Sequence, residues 1–148
     1  MDASKPRSVG EHMLRDIVTT TRDASLSQAH GLMRSAGLRH LVVVEDGVVV
    51  GLLSHRTLLE ASLTMLSARL GRAGADPLGS VTIEHMVLEE PLTIAPAGSL
   101  EAAASRMLAL RIGCLPVTTP SPRGPRLEGL LTEAALLRAA YLPPAPRS

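Results

Sequence analysis

The chain has 148 residues, nearly half of them hydrophobic, and its fifteen basic and fourteen acidic side chains almost cancel. That balance lacks the positive footprint of a nucleic-acid binder. With no Phe or Trp, and Tyr141 as the only aromatic residue, the chain also lacks rings on which unpaired bases could stack. Cys114 is the single cysteine, which excludes an internal disulfide. Met1–Gly10 has no apolar leader and no apolar run is long enough to span a membrane, so a soluble, cytoplasmic protein is expected. The length suits one domain or two small intertwined units with a core of Leu, Val, Ile, Met and Ala.

Residues 1–7 are polar, contain Pro6 and read as a flexible tail. A short helix is predicted from Ser8 to Leu14, with Ser8 and Glu11 at the spacing of a capping box. Val18–Thr21 is a short β-prone piece. A longer helix begins after Ser25, with Gln28 completing a second capping box. Leu26, Ala29, Leu32, Met33 and Ala36 form its apolar stripe, and Gly37 is placed for a left-handed cap. Two aliphatic runs then flank Asp46-Gly47, the strongest local signal for a hairpin with a tight turn. After Ser54 the period changes, and Leu58, Leu59, Leu63, Leu66 and Leu70 mark a helix. Residues 71–79 (G-R-A-G-A-D-P-L-G) read as a linker.

The same order then returns. Glu84-His85-Met86 repeats Glu11-His12-Met13, Ser99-Leu100 repeats Ser25-Leu26, and Met107 repeats Met33. Gly129-Leu130-Leu131-Thr132 repeats Gly51-Leu52-Leu53-Ser54, and Leu136-Leu137 repeats Leu58-Leu59. The spacing grows from 74 residues (Met33 to Met107) to 78 (Ser54 to Thr132), and the four extra residues are expected in the second hairpin loop, Thr118–Arg126. The repeats run over residues 8–70 and 80–141, and residues 142–148 form a Pro-rich tail. Two copies are too few for a solenoid. Each has a small sheet with one apolar face to cover, and the other copy is the expected partner. The fold class is therefore α+β, with two pseudo-symmetric repeats packed sheet to sheet.

The two stretches G-L-L-S-H-R-T-L-L (Gly51–Leu59) and G-L-L-T-E-A-A-L-L (Gly129–Leu137), with Gly113-Cys114-Leu115-Pro116-Val117 leading a strand, carry a resemblance. The chain resembles a tandem pair of cystathionine-β-synthase (CBS) domains, a Bateman module, over about Val9 to Ala140. The resemblance implies a ligand-sensing regulatory module. It would bind an adenosine nucleotide or related adenosyl compound (AMP, ADP, ATP or S-adenosylmethionine) in clefts between the copies. It also implies assembly into a homodimer and action on a separate effector protein.

In that family an Asp follows the Ser or Thr by three residues and accepts hydrogen bonds from the ribose hydroxyls. Here the position holds Thr57 in the first copy and Ala135 in the second. Thr57 accepts a ribose proton without the charge, and Ala135 does neither. The first copy keeps Ser54 at a helix start, where free amides favour an anion. It also has His55 and Arg56 beside Ser54, and Arg39 and His40 at the start of a strand. Arginine matches phosphate geometry with two parallel bonds. The candidate ligand-binding residues are thus Arg39, His40, Ser54, His55, Arg56 and Thr57, with Thr93, Gly113, Cys114 and Thr132 as looser counterparts. Ser54 reads as a ligand contact or an ordinary helix cap, Thr132 first as an ordinary helix cap, and the arginines and histidines also as solvated charges.

The alternative reading is a structural or dimerisation module with degenerate clefts, which Thr57 and Ala135 favour. His12 and His85 occupy equivalent positions, but two imidazoles make an incomplete metal site, and none is expected. His30 reads as a boundary residue beside its helix's stripe. No nucleophile or phosphate-loop motif is present, so no enzymatic activity or required cofactor is expected. Cys114 reads as a small hydrophobe in a buried strand, and Met13, Met33, Met86 and Met107 as core filler. The stripe Leu59, Leu63, Leu66 and Leu70 reads either as internal packing or as a dimer contact.

Overall fold

The computed structural model describes residues 7–68, 81–86, 88 and 92–141. The predicted linker, Leu70, and the tails other than Arg7 lie outside the described residues. The chain divides into two compact units, Val18–Pro91 and Met1–Ile17 with Leu92–Ser148.

The unit of residues 18–91 is built on the first hairpin. Strand β2 (His40–Glu45) runs antiparallel to β3 (Val48–Ser54), and the two-residue β1 (Thr19–Thr20) lies parallel to β2. Asp46 and Gly47 have φ of 51° and 80°, the left-handed pair that the tight turn needs. Helix α2 (Leu26–Ala36) starts with the predicted capping box: the Ser25 hydroxyl accepts from the Gln28 amide at 3.0 Å, and the Gln28 side chain accepts from the Ser25 amide at 2.9 Å. It ends at Gly37, whose φ is 66°. Helix α3 (His55–Ala68) follows β3 without a loop. Leu26, Ala29 and Met33 of α2 pack with Leu41 and Val43 of β2, Leu53 of β3, Leu58 of α3, and Ile83.

The unit of residues 1–17 and 92–148 repeats this plan. Helix α4 (Leu100–Leu110) precedes β4 (Cys114–Ser121), β5 (Gly124–Thr132) and α5 (Glu133–Tyr141), and Ile94 pairs in parallel with Val117 as β1 does with β2. Its core holds Ala103 and Met107 of α4, Leu115 and Val117 of β4, Leu131 of β5, Ile94, and Val9 from the one-turn helix α1 (Val9–His12).

The short helices are exchanged between the hairpins. Ile83, in a single tight turn at Ile83–His85, belongs by sequence to the second repeat yet packs with the first hairpin. Val9 belongs to the first repeat and packs with the second. Backbone bonds hold both in matching ways. The amides of Ile83 and Glu84 donate to the carbonyls of Ala24 (2.9 Å) and Arg22 (2.8 Å), while those of Val9 and Gly10 donate to Gly98 (2.8 Å) and Pro96 (2.9 Å). This explains a correction. Ser8 makes no side-chain cap, because the Gly10 amide goes to Pro96 and the Glu11 amide to the carbonyl of Ser8 itself at 3.2 Å, and Ser8 instead bridges Ser99 through the backbone.

The four extra residues also differ from expectation. They lengthen the ladder instead of the loop: β4 has 8 residues against 6 in β2, and β5 has 9 against 7 in β3. Pro120 faces Pro125 across the extension, so the two residues that cannot donate sit opposite each other, and Thr119 donates to Glu128 at 2.8 Å one rung further in.

Where Gly37 ends α2, Arg111 ends α4, with φ of 55°. A left-handed residue with a Cβ costs about 1–2 kcal/mol, part of which glycine returns as unfolded-state entropy. Arg111→Gly is therefore expected to raise stability by about 0.5–1 kcal/mol in urea denaturation.

Candidate ligand site at the strand-to-helix joints

At the first joint, β2 starts opposite the end of β3, with His40 paired to Ser54. The His55 amide donates to the Arg39 carbonyl at 2.7 Å, which pins the start of α3 to the start of β2. Arg39, His40, Ser54, His55 and Thr57 are thereby brought to one place. Ser54 is 8% exposed. Its hydroxyl accepts from the Thr57 amide at 3.0 Å and donates to the Thr57 hydroxyl at 2.8 Å. Ser54 is thus a helix cap and also the donor that orients Thr57. Because Thr57 accepts in that pair, its own proton is left to give to another oxygen. Arg56 is engaged along the helix, its Nε 3.3 Å from Glu60 and both side chains exposed.

The second joint has the same frame and different chemistry. Cys114 pairs with Thr132, and the Glu133 amide donates to the Gly113 carbonyl at 3.1 Å. Thr132 accepts from the Ala135 amide at 3.2 Å, and Ala135 offers no hydroxyl in return. Sequence reasoning passed over Glu133. Its carboxylate lies over Gly113, where a Cβ would come within 3.2 Å of Oε1. The offset of 78 that equates Thr132 with Ser54 also sets Glu133 where the first copy has His55, and that signal was present in the sequence.

Cys114 is 8% exposed, and its thiol is pushed up to about 11, first by burial and then by the negative charge of Glu133. A raised thiol leaves stability intact below the unfolded value and removes it as pH rises from about 9 toward 11, since only the unfolded chain ionises in that window. Alkylation by iodoacetamide at pH 8.5 is expected to run on the order of a hundredfold slower in the folded chain than in urea.

Thr93 precedes Ile94, which pairs with Val117 on β4, the strand that Cys114 begins. Thr93 lines a shallow cavity of about 430 Å³ beside the extended part of the second hairpin, together with Thr118 and Ser121. Its carbonyl accepts from Arg106 of α4 at 2.7 Å. A smaller cavity, about 240 Å³, lies where Arg22, Ile83 and Glu84 meet Val50 and Leu88.

Among the described residues no three His, Cys, Asp or Glu side chains are grouped to hold a metal ion. His85 bonds the Thr82 hydroxyl at 3.0 Å, and His30 is exposed. Met33 and Met107 are buried, and Met13 and Met86 pack partly buried against the two cores. Leu59, Leu63 and Leu66 are exposed on α3, whose buried contact is made by Leu58. No helix among the described residues is long and apolar enough to cross a membrane.

Two copies of strand, helix, hairpin and helix, each with a Ser or Thr capping the last helix, define a tandem module. The chain belongs to the CBS domain family, whose model matches residues 9–64 and 77–141. It is 26% identical over 120 residues to an inosine-5′-monophosphate dehydrogenase of Korarchaeum cryptofilum, covering 81% of this chain and 21% of that protein. The chain thus spans about a fifth of that curated relative.

Three of the solved structures that share the fold illustrate it. Protein MJ1225 of Methanocaldococcus jannaschii matches with a TM-score of 0.79 at 21% identity, over 93% of this chain and 49% of that one. The CBS-pair protein CBSX2, known from Arabidopsis thaliana, matches in its complex with AMP with a TM-score of 0.68 at 24% identity, over 90% and 95%. The CBS domain pair of protein MJ0100, in complex with 5′-methylthioadenosine and S-adenosyl-L-methionine, matches with a TM-score of 0.71 at 18% identity, over 92% and 97%.

Proposed function

We propose that this chain is a regulatory module that binds an adenosine nucleotide or related anionic adenosyl ligand at its first strand-to-helix joint and acts on a separate partner protein. The observation that carries the reading is the bonded pair of Ser54 and Thr57 beside Arg39 and His55. A hydroxyl that accepts from Ser54 can give its own proton to a ligand oxygen, and the start of α3 favours negative charge. The AMP held by CBSX2 and the adenosyl compounds held by MJ0100 support the ligand class. The dehydrogenase activity of the curated relative is not carried over, because this chain covers 21% of that protein.

Calorimetric titration with AMP tests this. The wild-type chain is expected to bind, and Thr57→Ala to weaken binding about tenfold by removing one hydrogen bond and releasing Ser54. Thr57→Asp, which supplies the family's carboxylate, is expected to tighten it about tenfold to a hundredfold. Thr132→Ala serves as the comparison, since it removes an equivalent cap and should leave affinity unchanged. Absence of heat up to millimolar AMP, ATP and S-adenosylmethionine would favour the structural module with degenerate clefts.

A further inference from the structure

We infer that Glu133 determines the charge of ligand that the second joint tolerates, barring a phosphate there while leaving the joint open to a nucleoside without one. The inference rests on the proposal that the joints are where ligand binds. The two joints share one backbone bond, from the first helical amide to the residue before the strand, at 2.7 Å for His55 to Arg39 and 3.1 Å for Glu133 to Gly113. Around that shared bond the side chains are opposed. The first joint carries Arg39, His40 and His55, and the second carries Gly113, Cys114 and Glu133.

Where Arg39 stands in the first copy, the second has no side chain, and the Glu133 carboxylate occupies that space. The charge of Glu133 reaches the strand as well, since it contributes to the raised thiol of Cys114. The start of α5 would otherwise favour an anion, but Glu133 already places a carboxylate in that first turn. A phosphate arriving there meets the negative charge of the exposed Glu133 at short range. Arg111, two residues before Gly113, stays in place in every variant below.

The test counts AMP and adenosine bound per chain by calorimetry on the full chain. Ala135→Ser restores a hydroxyl at the second joint, and Glu133→Gln with Ala135→Ser also removes the charge. Ala135→Ser alone is expected to hold AMP at one per chain. The double variant is expected to reach two, with AMP affinity at the new site raised about tenfold or more and the gain shrinking as salt rises. Adenosine should bind both variants alike, because it brings no phosphate.

Glu133→Lys, a single exposed change, is a second route and should add the same AMP site more weakly. Two AMP in the wild-type chain or in Ala135→Ser would overturn the inference, as would a double variant that stays at one or a gain that ignores salt. A wild-type chain that binds no AMP sinks the reading of the first joint. The gain from Glu133→Gln in the Ala135→Ser background still decides the role of Glu133 in that case.

Discussion

Replacing Ile83 with alanine is expected to destabilise the chain by about 2–5 kcal/mol in urea denaturation, the range for emptying a fully buried aliphatic site. Ile83 is 0% exposed and sits in the core built on the first hairpin. Its partners make the result informative. In double-mutant cycles, Ile83→Ala should couple with Leu53→Ala, which shares its core, by about 0.5–3 kcal/mol. It should add independently with Leu131→Ala, which lies in the other core. Coupling to Leu131 and independence from Leu53 would mean that each repeat keeps its own short helix, contrary to the exchange described above.

Gly129→Val is expected to cost about 2–4 kcal/mol, through overpacking and the loss of a backbone bridge. Even a Cβ at Gly129 would lie 2.7 Å from the Leu14 carbonyl oxygen and 2.7 Å from the Met13 sulfur. The carbonyl cannot retreat, because Leu14 and Leu130 exchange two backbone bonds of 2.8 and 2.9 Å. The variant should therefore detach residues 8–14 from β5, which limited proteolysis would register as faster cleavage there. Gly51, the counterpart in the first hairpin, would set a Cβ 2.6 Å from Cδ1 and 2.8 Å from Cβ of Leu88, with no bridging carbonyl among its nearest atoms, so Gly51→Ala should be milder than Gly129→Ala. Equal losses at the two sites would contradict the bridge as the cause.

Local chemistry made much of this fold legible. Asp46-Gly47, the Ser25–Gln28 box and Gly37 each act through neighbours in sequence, and all three stand as the residues predict. The repeat announced two copies because the caps Ser25 and Ser54 and the strand glycine Gly51 return in order, at offsets of 74 and then 78. The exchange of Val9 and Ile83 was not legible, since a one-turn helix with a single buried residue carries no pattern that says which sheet it covers. The extended second hairpin is not legible in sequence, because Pro120, Pro122 and Pro125 resemble loop punctuation. Only pairing shows that two of them oppose each other.

The candidate site divides in the same way. Ser54 and Thr57 could be named from a motif, but their mutual bond is a fact of three dimensions. Thr93 lies beside β4 through Ile94 and lines the cavity by the extended hairpin, a placement that no motif announces. Glu133 carries the charge difference between the joints, yet it reads in sequence as an ordinary first-turn acid.

The most direct test of the central claim is a crystal structure of the full chain grown with AMP. The nucleotide is expected beside Ser54 and Thr57, with the Thr57 hydroxyl within hydrogen-bond distance of a ligand oxygen and no nucleotide at Thr132 and Glu133. Nucleotide seated at Glu133, or a first joint empty at saturating AMP, would contradict it.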